Sequence, residues 1–133
     1  MTKSHTSAHG SVLLLDSDPL TRTIFHEMLR RGGYLVDVAG DVGTAVDRMK
    51  LSRPDLLIVR DYITSMTGVM AAKYLRTRCA GLPVLIVGGV MRDDRIRVQT
   101  EVNDFQVFPK PFECDDLLEK VRDMFCALHA RHS

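Results

Sequence analysis

The amino-acid sequence predicts a three-layer α/β domain, a parallel sheet with helices on both faces. Two observations carry that expectation. Leu56-Leu57-Ile58-Val59 is a run of large apolar residues opened by Pro54 and closed by the charges of Arg60 and Asp61, the pattern of a strand buried on both faces. Further β-prone runs alternate with segments of helical periodicity along the 133 residues, and such alternation builds right-handed βαβ units.

The elements follow in order. Ser11 to Asp16 reads as the first strand. Asp18-Pro19 places a capping acid before a proline at the first helical position. Leu20, Ile24, Phe25, Met28 and Leu29 then form the apolar face until Gly32-Gly33 stops the helix. Tyr34 to Val38 is a short strand, and Asp41 caps a helix with Val42, Ala45, Val46 and Met49 inward. A loop through Tyr62 to Met66 follows the central strand. Thr67 caps a helix to about Cys79 that is expected to bury Met70, Ala71, Tyr74 and Leu75. Val84-Leu85-Ile86-Val87 is another apolar strand, ended by Gly88-Gly89, and Met91 to Val102 is a more polar helix. Phe105 to Phe108 is the fifth strand. The last helix, about Cys114 to Ala130, carries Asp115 and Asp116 in its first turn, where the helix dipole favours them. The expected layout is a flexible tail over 1–10, one domain over 11–130 and a short tail over 131–133.

Hydrophobic residues make up 45% and charged residues 26%, with a net charge of +1. That balance is ordinary for a soluble globular domain and supplies no field toward nucleic acid or membrane. Arg92, Arg95 and Arg97 are interleaved with Asp93 and Asp94, which reads as a solvated face. No apolar stretch approaches the roughly 20 residues of a membrane span. Cys79, Cys114 and Cys126 fit neither a disulfide framework nor a zinc spacing, so they read as reduced cytoplasmic thiols. His5 and His9 read as a solvated pair, the methionines as core filler, and Asp55 as a solvated loop acid.

Ligands of parallel sheets bind outside the carboxyl ends of the strands. The residues standing there carry a resemblance. Leu15-Asp16-Ser17-Asp18-Pro19, Pro54-Asp55-Leu56-Leu57 with Met66 and Gly68, Pro83-Val84-Leu85-Ile86-Val87 and Lys110-Pro111-Phe112 occur in order. Together they resemble the receiver domains of bacterial two-component response regulators over roughly Val12 to Leu128. The resemblance implies a flavodoxin-like (βα)5 fold with sheet order 2-1-3-4-5. It also implies phosphoryl transfer to an aspartate ending the third strand, with Mg²⁺ held by acids after the first strand. A hydroxyl after the fourth strand and a lysine after the fifth bind the phosphoryl oxygens.

This sequence departs from that pattern. The first acid is kept as Asp16, the second falls on Ser17, the phosphoacceptor on Arg60, the hydroxyl on Gly88 and the aromatic switch on Val107, while the lysine is kept as Lys110. One carboxylate against two cations replaces the net negative pocket of the family. A unit charge at about 4 Å is worth up to roughly 4 kcal/mol at an effective dielectric near 20, so Mg²⁺ binding is expected to be lost. Arginine is neither a nucleophile nor ever deprotonated. The expectation is therefore a pseudo-receiver with no enzymatic activity and no cofactor, signalling by protein contact with a histidine kinase or an output protein. By resemblance the contact face is the fourth helix, fifth strand and fifth helix, roughly Met91 to Phe125, with a homodimer through it. Arg60 is expected to pair with Asp16 rather than snorkel to solvent, because an unpaired buried charge is costly. Three alternatives stay open: phosphorylation at Asp61, which strand alternation turns away from Arg60, an anion-sensing pocket using Arg60, Lys110 and the N–H groups of Gly88 and Gly89, and an enzyme on the same fold, for which the strand ends offer no Cys/His or Ser/His constellation.

Overall fold

The structure, a computed structural model, describes residues 9–64, 66–88, 94–108 and 114–132. Its central sheet contains β1 (Ser11–Leu15), β2 (Leu35–Ala39), β3 (Leu56–Arg60), β6 (Val84–Val87) and β7 (Gln106–Phe108). All pairings are parallel, in the order β2-β1-β3-β6-β7. This is the expected order, with two added strands lying outside the sheet. They are β4 (Tyr62–Ile63) and β5 (Met66–Thr67), which pair antiparallel where the sequence suggested only a loop. The helices are α1 (Pro19–Arg31), α2 (Val42–Leu51), α3 (Gly68–Arg78), α4 (Asp94–Val102) and α5 (Cys114–His132).

Both faces of the sheet are buried, and this explains the unbroken apolar runs. Leu13 and Leu15 of β1 and Leu57 and Val59 of β3 face one way, into a core with Ala45, Ala72 and Leu75 from α2 and α3. Val12, Leu14, Leu56 and Ile58 face the other way, against Phe25 and Leu29 of α1 and Leu117, Val121 and Phe125 of α5. Alternate side chains enter opposite cores, so no position in β3 before Arg60 tolerates a charge. The polar chemistry is thereby confined to the strand ends.

Local chemistry sets the helix boundaries. Asp18, Asp41 and Thr67 each accept a backbone N–H three residues on, from Thr21, Thr44 and Met70, satisfying donors that helix geometry leaves open. Arg76 fastens the far end of the sheet. Its guanidinium donates to the Leu82 carbonyl at 2.8 and 3.1 Å and lies 4.6 Å from the centre of the Phe105 ring.

Several expectations need correction. His9 and Gly10 belong to the fold rather than to a tail: the His9 N–H donates to the Gly33 carbonyl, and its ring packs edge-on against Tyr34. Helix α5 runs on through His132, so the tail expected over 131–133 is mostly helix. Asp55 is exposed but not merely solvated, since its carboxylate accepts the N–H and hydroxyl of Ser11. Leu20 and Ile24 are 69% and 47% exposed, and Met70 and Tyr74 are 58% and 44% exposed. Periodicity identified the apolar stripe of each helix, but only its inner edge reaches the sheet. His5, and the Asp93 and Arg92 of the mixed-charge segment, lie outside the described residues, while Arg97 pairs with Asp94 as that segment's charge interleaving suggested.

The caps make stability pH-dependent. Hydrogen bonds from the hydroxyl and N–H of Thr21 hold Asp18 below its ordinary value of 3.8, and the N–H of Thr44 does the same for Asp41. Arg30 and then Arg31 hold Glu27 at about 2, against an ordinary 4.5. Groups whose folded-state values are depressed stabilise the fold above their unfolded values and lose that contribution as pH falls through the folded ones. Melting temperature should therefore hold steady down to about pH 5 and fall progressively toward about pH 2. In Asp18→Asn/Asp41→Asn/Glu27→Gln, thermal melts over the same range should show a shallower decline.

Candidate functional site

The charged residues at the carboxyl edge of the sheet form one cluster. Asp16 follows β1 and is only 2% exposed. Every polar group on it is engaged. Its N–H donates to the Ala39 carbonyl at 3.0 Å, its carbonyl accepts from Arg22 at 2.8 Å, and its Oδ1 accepts the Asp18 N–H at 2.9 Å. Its Oδ2 accepts from Nη1 of Arg60 at 3.2 Å.

Arg60 is the last residue of β3, and its side chain is 18% exposed. It therefore pairs with Asp16 rather than snorkelling outward. The contact is single and long for a charge-assisted bond, and the enclosed Arg60 Nε–H has no acceptor among the described residues. A one-point contact of this kind is weaker than a two-pronged arginine–carboxylate fork. Its main effect is to keep a buried carboxylate from standing uncompensated.

Asp61 directly follows β3, and its carboxylate lies against Gly88. A Cβ at Gly88 would overlap that carboxylate, and Gly88 has a φ of +138°. Asp61 also wires the strand end together. Its N–H donates to the Val87 carbonyl at 2.9 Å, its carbonyl accepts the Gly68 N–H at 2.6 Å, and its Oδ1 accepts the Tyr62 N–H at 3.1 Å. Gly68 meets the backbone of Arg60 so closely that a side chain there would strike the Arg60 carbonyl. That close approach is the physical reason for a glycine at this point of the sequence.

Of the other expected site residues, Ser17 is exposed beside Asp16, and Val107 is half-buried in β7 opposite Ile86. The Gly88 N–H is taken by the Phe108 carbonyl at 3.1 Å, so it is not available to an anion. Lys110 and Gly89 lie outside the described residues. The sequence count of charges omitted Asp18, whose carboxylate feels Arg60. Among the described residues the cluster thus sets Asp16 and Asp18 near Arg60.

A doubly wound α/β domain with acidic and basic residues gathered at the carboxyl ends of β1 and β3 is a site-bearing scaffold. Over residues 12–122 the chain matches the response regulator receiver domain, and it belongs to that family. It is 29% identical over 113 residues to the probable transcriptional regulatory protein TcrX of Mycobacterium tuberculosis, covering 84% of this chain and 48% of that protein. The chain thus spans about half the length of such relatives. Its fold is similar to the receiver domain protein (CheY-like) of Methanospirillum hungatei, with a TM-score of 0.83 at 19% identity over 92% of this chain and 98% of that one. It is also similar to the chemotaxis protein CheY4 of Vibrio cholerae, with a TM-score of 0.76 at 22% identity over 86% and 97%.

The Gly88–Asp61 contact is open to a direct check. Gly88→Ala should lower stability by about 1–3 kcal/mol through overlap and backbone strain, measured by urea unfolding. Asp61→Ala should relieve the overlap, so the double variant should lose less than the sum of the two single losses. Strict additivity would mean the two residues do not touch.

Proposed function

We propose that this receiver domain is a signalling module with a degenerate phosphoacceptor pocket, acting through protein–protein contact without aspartyl phosphorylation. The observation that carries the reading is the Arg60–Asp16 pair. The position that ends β3, where the family places its acceptor, holds a cation, and that cation is already bound to the remaining acid of the metal site. The residues present do not fit Mg²⁺. Asp16 has one oxygen on the Asp18 N–H and the other on Arg60, Ser17 offers no carboxylate, and Asp18 is spent capping α1. Among the described residues no three acidic, histidine or cysteine side chains converge as a metal site.

In this reading Asp16, Ser17, Arg60, Gly88 and Lys110 are the remnant of a phosphoryl pocket, and Val107 replaces the aromatic rotor of the switch. The module is not an enzyme. It works in the cytoplasm on a histidine kinase or an output protein, and the α4–β7–α5 face is its route to a homodimer. No helix among the described residues is long and apolar enough to cross a membrane.

A second reading takes Asp61, whose carboxylate lies against Gly88, as a displaced acceptor. Incubation with acetyl phosphate or beryllofluoride plus Mg²⁺, read by intact mass and amide shifts, separates the two. The proposal expects no adduct and no shift at Asp16, Arg60 or Asp61. A phosphoryl adduct that disappears in Asp61→Asn would overturn it in favour of a working receiver. A rise in melting temperature with inorganic phosphate or a nucleotide would overturn it in favour of an anion sensor.

A further inference from the structure

Helix α3 exposes what its sequence pattern would have buried. Met70 and Tyr74, at i and i+4, are 58% and 44% exposed. They form one wall of an open groove of about 800 Å³ between α2 and α3, which Val42, Val46 and Met66 also line. Among the described residues the charged side chains lining it are Asp41 and Asp47, both on α2's side. Tyr74 is held in place by Arg78, which stacks 5.4 Å from the ring centre and donates to the hydroxyl at 2.9 Å.

We propose that this groove docks an amphipathic helix of a partner protein, one that presents an apolar stripe flanked by lysine or arginine. The proposal rests on the reading of the domain as a protein-contact module, and it names the surface and the partner's chemistry. The shape is that of helix-in-groove recognition, in which apolar side chains one and two turns apart enter a cleft between two helices. Methionines supply an adaptable floor, and a fixed tyrosine supplies the kind of rigid aromatic anchor on which binding energy concentrates. Charge selects the sign of the partner. Both lining carboxylates are acidic, so they attract a basic flank and repel an acidic one.

The groove is also coupled to the pocket. Met66 stands on the β4–β5 hairpin, and that hairpin is fastened to Asp61 through the N–H groups of Gly68 and Tyr62. The end of β3 therefore sets the position of the groove wall with no phosphoryl group needed.

The test uses the whole chain, ¹⁵N-labelled, and two helix-stabilised peptides of about four turns. Both carry the same leucine and phenylalanine stripe, flanked in one by lysine and in the other by glutamate. The lysine peptide should shift the amides of Val46, Met66, Met70 and Tyr74 saturably and bind at least about tenfold more tightly than the glutamate peptide. Met70→Glu should weaken it by about tenfold or more, and Asp47→Lys should narrow or invert the preference; both positions are exposed. Absence of saturable shifts in the groove, shifts mapping elsewhere, or equal affinity for both peptides would overturn the assignment. Concentration-dependent shifts of the same amides without peptide would overturn it in favour of a second copy of this chain. None of these outcomes bears on whether the pocket takes a phosphoryl group, which the acetyl phosphate experiment decides separately.

Discussion

The structure depends on burying β3 on both faces. Leu56, Leu57, Ile58 and Val59 are each at most 1% exposed, enclosed between two helical layers. A charge in that span would stand in a dry core at prohibitive cost. The first position where the chain can become polar is the strand's carboxyl end, and β1 reaches its own end beside it. Asp16 and Arg60 are consequently brought within bonding distance by the register of two apolar strands, in which Leu15 stands opposite Val59.

Once there, the two residues constrain each other. Asp16 is almost wholly enclosed, and removal of its cation would leave a buried carboxylate supported among the described residues by the Asp18 N–H alone. Breaking a buried pair from one side costs about 3–5 kcal/mol, whereas replacing both partners with apolar groups is often neutral. The one-point contact of Arg60 and its unsatisfied Nε–H show a pair that is not optimised for strength. Its consequence is electrostatic, since the guanidinium compensates the one carboxylate buried at this edge of the sheet; under the proposed function it also stands where the family places its nucleophile. Asp61 completes the arrangement by filling the space that Gly88 leaves open and by tying β3 to β6 and to the hairpin before α3.

Much of this was legible in the sequence, for definite physical reasons. The caps at Asp18, Asp41 and Thr67 act over three residues, so the local order of residues reveals them. The inner strands β1, β3 and β6 were legible because both-face burial leaves no polar residue to interrupt the run. The pairing of Arg60 with Asp16 followed from the resemblance together with the cost of an unpaired buried charge. Other features are not local. The Asp55–Ser11 clamp joins residues 44 apart, and nothing in either segment announces it. The packing of the Asp61 carboxylate against Gly88 joins two strand ends, and neither segment announces it. The exposure of Met70 and Tyr74 depends on how far α2 reaches over α3. Periodicity defines a helix face but not how deeply its neighbours cover it.

The central claim is that Arg60 and Asp16 act as one unit. A double-mutant cycle with Asp16→Asn and Arg60→Met, read by urea unfolding, tests it most directly. A coupling of about 1–3 kcal/mol, with the double variant more stable than Arg60→Met alone, is the predicted result. Losses that add to within about 0.3 kcal/mol would contradict it. Arg60 would then be a bystander at the end of β3, and the pocket would have to be explained without it.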